Sequence, residues 1–121
     1  MIVNTINTHQ GKSVGKINSK KKGSKGELEL AHFLSDRGFT ARRGQQYQGT
    51  PDSPDIICES LNQYHIECKR VEKFRLYDSL KQARDDAGDD QTPVVFHRQN
   101  NKEWVVILSA EDWINSQKNV Q

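Results

Sequence analysis

Apolar positions in this chain gather into segments of two different periods, separated by stretches that carry few. From Met1 to Lys22 single aliphatics are scattered among Asn, Thr, Gly, Ser and Lys, too little apolar surface to offset the entropy of ordering, and a flexible arm is expected. In GSKGELELAHFLSDRGF the character changes. Leu28, Ala31, His32, Phe33 and Leu34 recur at helical spacing, Ser24 can cap with Glu27 three residues on, and Gly38 is a natural stop. A helix is predicted over about 25–37.

Phe39 to Arg43 suits a short edge strand, and GQQYQGTPDSP, rich in Gln, Gly and Pro, reads as a loop. Asp55 to Glu59 and Tyr64 to Arg70 are rich in Ile, Cys and Tyr and read as a hairpin around Leu61-Asn62-Gln63. Leu76, Leu80, Ala83 and Ala87 form one stripe of a second helix, which GDD ends. Pro93 to Arg98 and Glu103 to Leu108 are two further strands around Gln99-Asn100-Asn101, and Ser109 caps a last helix, AEDWINSQ. The predicted order is α-β-β-β-α-β-β-α: an α/β (α+β) domain over 23–121, with a mixed sheet flanked by helices, behind an arm of residues 1–22. Trp104 and Trp113 are expected to pack the second and last helices onto the sheet.

Composition narrows this picture. With 33% hydrophobic and 28% charged residues in 121, a core is available only if those patterned segments supply it, and only for one domain. No apolar run approaches the ~18 residues of a membrane span, and MIVNTINTHQ lacks the order of a signal peptide, so an intracellular, soluble chain is expected. Cys58 and Cys68 are too few for a disulfide framework and lack the partners of a zinc site. They read as small core side chains; a cross-strand disulfide would need them face to face, and an intracellular setting argues against it. His32, His65 and His97 show no metal-pair spacing and read as packing or surface residues.

Charge is divided along the chain. Residues 1–26 carry six lysines and no acid, whereas the remainder has twelve basic and sixteen acidic residues. A basic arm before an acidic body suits a polyanion, because each lysine set against a phosphate releases counterions. A solvated tail without a partner is the competing reading.

The chemistry lies in the hairpin. Strand side chains alternate, so Glu67 and Lys69 project together and Ile66 and Cys68 project oppositely. A turn centred on Asn62 places position 55 opposite 69 and 57 opposite 67. Asp55, Glu67 and Lys69 then share one face, away from the apolar Ile56, Cys58, Ile66 and Cys68. Two carboxylates brought together repel, which raises one pKa or recruits a cation such as Mg²⁺ or Mn²⁺. A neighbouring lysine can hold the water that attacks a phosphorus. The alternative is a plain Glu67–Lys69 ion pair with Asp55 as a turn cap.

Ser53-Pro54-Asp55, then Glu67-Cys68-Lys69 on the adjacent strand, resembles the signature of PD-(D/E)XK nucleases. Lys22-Gly23-Ser24-Lys25-Gly26-Glu27-Leu28-Glu29-Leu30 resembles the opening of the archaeal Holliday-junction resolvases, and Phe39-Thr40-Ala41-Arg42-Arg43 the strand that follows. The resemblance implies a restriction-endonuclease-like core and a homodimer that cuts branched DNA with Mg²⁺, Mn²⁺ substituting. It makes Asp55, Glu67, Glu27 and the Cys68 carbonyl metal ligands, with Glu27, Asp55, Glu67 and Lys69 catalytic and Lys69 at the attacking water. DNA contacts fall to Lys20, Lys21, Lys22, Lys25, Arg42 and Arg43, and Gln82 on the second helix is a further candidate for the site. No membrane and no small-molecule substrate is implied.

The chain departs from the resolvases in a longer, Gln-rich loop from Gly44 to Pro54, where Pro51-Asp52 offers a second Pro-Asp pair. Asp55 is preferred because it leads directly into Ile56-Ile57. A non-catalytic nucleic-acid-binding module of the same fold, and a nuclease of linear ends or RNA, are the rival functions. Two acids converging on a DNA-facing surface favour the enzyme.

Overall fold

The first helix, α1 (residues 23–35), buries Gly26, Leu30, Ala31 and Leu34, an i, i+4, i+8 stripe with one neighbour. Leu28 and His32 are exposed instead, so the buried stripe is offset from the one read in the sequence. The computed structural model describes residues 23–44 and 54–119; the arm of residues 1–22, with Lys20, Lys21 and Lys22, and the Pro51-Asp52 pair lie outside the described residues. Ser24 lies inside the helix, one residue past the first described helical position, and its hydroxyl accepts a bond from Arg43 at 3.1 Å in place of the expected capping role. The stop is as expected: Gly38 has φ +96°, and Gly38 N–H and Phe39 N–H bond back to the carbonyls of Ser35 and Leu34 (3.1 Å each).

Five strands follow, β1 (Ala41–Arg43), β2 (Ile56–Cys58), β3 (Tyr64–Arg70), β4 (Thr92–Arg98) and β5 (Val105–Ile107), with α2 (Leu76–Asp86) between β3 and β4 and α3 (Ala110–Asn119) last. They form one sheet in chain order, antiparallel except for the parallel β3–β4 pair that α2 bridges. Strand alternation then builds two cores. Ile56, Ile66, Val94 and Phe96 pack with Leu30, Ala31 and Leu34 of α1, while Val95 packs with Leu80 and Ala83 of α2. A mixed sheet with a helix on each side is the α+β architecture expected.

Three details differ from the sequence reading. Trp104 packs into the α1 core, its ring 6.3 Å from that of Phe33, because it precedes β5 on that side. Trp113 is 54% exposed. The hairpin register moves as well: Ile56 faces Ile66, so the turn centres on Leu61, because Glu59–Leu61 coil into a 3₁₀ turn. An even shift leaves the two faces sorted as predicted, Glu67 and Lys69 together. It also separates the cysteines, both free, and Cys58 Sγ lies 3.4 Å from the Ser60 hydroxyl.

Candidate metal centre

Asp55 stands at the mouth of β2. Its N–H bonds to the Ile66 carbonyl at 2.9 Å while Ile56 also pairs with Ile66, two residues set against one as in a β-bulge. From there one carboxylate oxygen accepts the Cys68 amide at 2.8 Å, and the carboxyl lies in hydrogen-bond contact with Glu67. Both acids are buried, Asp55 8% and Glu67 4% exposed, whereas strand alternation alone keeps all three charges clear of the core. The surrounding layers explain the difference: α1 and α2 close over this end of the sheet from opposite sides. Burial, then the contact with Glu67, push the Asp55 carboxyl up from 3.8 to about 8; the Cys68 amide opposes this, and Glu27 adds a smaller repulsion. Burial, then the charges of Asp55, Glu27 and Glu29, push the Cys68 thiol up, which makes it inert.

A buried carboxyl that resists ionisation, set against a second one, forms with it a donor set suited to a divalent cation, which would take the place of the proton on Asp55. Glu27 stands on α1 and is tied to β1. Its Oε1 accepts Arg43 Nε at 3.1 Å. A Cβ at Gly26 would lie 2.5 Å from Cβ of Arg70, so α1 reaches the end of β3 only because residue 26 is glycine. One turn on, Glu29 accepts from Arg70 at 3.2 Å and from Arg98, which ties the helix to β3 and β4. At β1 a Cβ on Gly44 would meet the Pro54 carbonyl at 2.1 Å, and Gly44 N–H bonds to the Asp55 carbonyl at 2.8 Å.

Lys69, half-buried two residues beyond Glu67, donates to Gln82 Oε1 of α2 at 3.1 Å. A residue of α2 thus fixes the lysine. The two arginines of β1 part company: Arg42 pairs with Ile57 and Arg43 with Ile56, so they face opposite sides of the sheet. Arg43 reaches α1, and Arg42 lines an open groove of about 730 Å³ with Thr40, Ile57 and Ser60. Lys25 lines a cleft of about 470 Å³ beside Gly26, Glu29 and Arg70.

Two polar residues here escaped the sequence reading. His65 is fully buried and its Nε2 lies 2.8 Å from Glu67 Oε1. Asp86 closes the last turn of α2, and donor atoms of His65, Glu67 and Asp86 all lie within 4.8 Å of one another. Their signals were spacing: His65 two residues before Glu67 on one strand face, Asp86 four after Gln82 on one helix face.

A five-stranded mixed sheet between helices, carrying Asp55 and then Glu67-Cys68-Lys69 on neighbouring strands, defines a PD-(D/E)XK nuclease with a restriction-endonuclease-like core. The family model described as archaeal Holliday junction resolvase (Hjc) matches residues 18–111. The chain belongs to that family, whose members are nucleases of DNA recombination and repair and depend on divalent metal. Nothing among curated proteins or solved structures matches the chain. Among the described residues no helix is long and apolar enough to cross a membrane.

Proposed function

We propose that this protein is a Mg²⁺-dependent endonuclease that resolves four-way DNA junctions, with Mn²⁺ able to substitute. The observation that carries this is the burial of Asp55 against Glu67 at the strand ends, with Glu27 close enough to repel Asp55. Asp55, Glu67, Glu27 and the Cys68 carbonyl hold the cation. When bound, it supplies Lewis acidity that activates water and offsets charge on the scissile phosphate. Lys69, steadied by Gln82, orients that water for in-line attack, with its ammonium beside the phosphate. Arg42 and Lys25, joined by Lys20, Lys21 and Lys22, take phosphates on either side, and Arg43 holds Glu27 until DNA competes for its guanidinium.

Symmetric cuts across a four-way junction need two sites related by a two-fold axis, and a homodimer provides them. Edge strand β5 exposes Val105 and Val106, and α3 exposes Trp113 and Ile114, apolar side chains that support such pairing. The place of action is intracellular.

The test is incubation with a synthetic four-way junction, a linear duplex and plasmid, in Mg²⁺ or in chelator. Cleavage of the junction in Mg²⁺, lost in Asp55→Ala, Glu67→Ala and Lys69→Ala while junction binding persists, is expected. Cutting by all three variants would remove the site assignment; binding of the junction without cleavage under any condition would leave a binding module.

A further inference from the structure

We propose that His65 is a positioning residue that locks Glu67 from behind and presents the carboxylate to Asp55 and the cation; this rests on the metal-centre reading above. His65 and Glu67 lie two apart on β3, on the same face, with Nε2 to Oε1 2.8 Å and both side chains almost wholly removed from solvent. A bond in that setting is not exchanged for water, so it holds one rotamer of a side chain that otherwise has several.

The ring's other nitrogen settles which way the hydrogen points. Nδ1 is buried with no hydrogen-bond partner. A doubly protonated ring would bury an unpaired N–H there, and so would the tautomer with its hydrogen on Nδ1. The arrangement that strands no N–H carries the hydrogen on Nε2 and donates it to Glu67. That donation occupies one carboxylate oxygen and leaves the other for Asp55. It also removes Nε2 as a metal ligand, because its electron pair is already spent in the N–H form. On α2, Asp86 brings a carboxylate oxygen within 4.8 Å of the ligand atoms of both partners. His65 therefore acts on the cation through Glu67 and not by direct ligation.

The experiment is titration of the full chain with Mn²⁺, free ion read by electron paramagnetic resonance, for the parent, His65→Gln, His65→Phe, His65→Leu and Glu67→Gln. Glutamine places an amide N–H where Nε2 stands; phenylalanine and leucine cannot donate. His65→Phe and His65→Leu should weaken Mn²⁺ binding about tenfold or more and His65→Gln by less than about threefold, the usual range for loss and rescue of a residue behind a metal ligand. If the apolar variants fail to fold, long-range ¹H–¹⁵N spectra of the parent decide the matter: a hydrogen on Nε2 is expected, and one on Nδ1 overturns the proposal. Parent-like binding by either apolar variant overturns it as well, as does a glutamine variant as weak as phenylalanine, which would make the imidazole itself the ligand. Undiminished binding by Glu67→Gln would instead bring down the metal-centre reading, and this inference with it.

Discussion

Replacing Asp55 by asparagine is expected to stabilise the metal-free chain in neutral solution while abolishing its metal binding. The Asp55 carboxyl sits at about 8, up from 3.8, through burial first and Glu67 second. Between those values the folded chain keeps a proton that the unfolded chain has released. Unfolding free energy therefore falls as pH rises through the window, by at most about 1.4 kcal/mol per pH unit. From about pH 5 to about pH 7 the loss is at most roughly 3 kcal/mol, on the order of 10 °C in melting temperature for a domain of this size. Asparagine has the same shape and no charge. Its carbonyl can accept the Cys68 amide and its NH₂ can donate to Glu67, so both native contacts survive while the pH slope vanishes.

Thermal unfolding of parent and Asp55→Asn in chelator, from about pH 5 to about pH 8, isolates this carboxyl, because every other titrating group is common to both. The parent should lose stability relative to the variant as pH rises. Added Mn²⁺ should restore the parent and not the variant, with an apparent affinity that rises up to about tenfold per pH unit until about pH 8 as the Asp55 proton leaves. A parent that runs parallel to the variant across the whole range in chelator would refute the reasoning, since the carboxyls would then not be forced together.

Gly26→Ala should cost about 1–3 kcal/mol in urea unfolding, because its methyl meets Cβ of Arg70 and not a flexible side-chain end, and should lower Mn²⁺ affinity as α1 carries Glu27 outward. Gln82→Leu should slow junction cleavage by roughly tenfold with an unchanged melting temperature, since the exposed amide holds Lys69 and no other side chain among the described residues; equal rates would show that Lys69 needs no support. Trp113→Glu with Ile114→Glu should convert a dimer to monomer in sedimentation and reduce paired cleavage to single nicks, and a dimer that persists would place the interface elsewhere.

Element order and the pairing of Glu67 with Lys69 were legible because strand parity survives an error of two residues in register. The register itself was not, since a 3₁₀ turn at Glu59–Leu61 and a bulge at Asp55 are decided by how β2 docks on β3. Burial of the acids also escaped notice: periodicity tells which side chains share a face, and only the packing of α1 and α2 tells which faces are covered. His65 looked like an ordinary packing residue for the same reason. The Arg42-Arg43 pair reads in sequence as one basic patch, yet alternation sends the two to different layers. Trp113 shows the converse limit, a large aromatic at a helix position that the described chain leaves half exposed.

The bond from Gly44 N–H to the Asp55 carbonyl, with no room for a Cβ between Gly44 and Pro54, acts as a clasp. The two ends of the segment between them are held together by backbone alone. The chain between can therefore lengthen, shorten or change composition with little entropic penalty and without moving Asp55. The Gln-rich segment, which reads as longer than the resemblance to the resolvases leads one to expect, lies between those two ends. Selection can rework the sequence of that segment while the Asp55 carboxyl stays where it is.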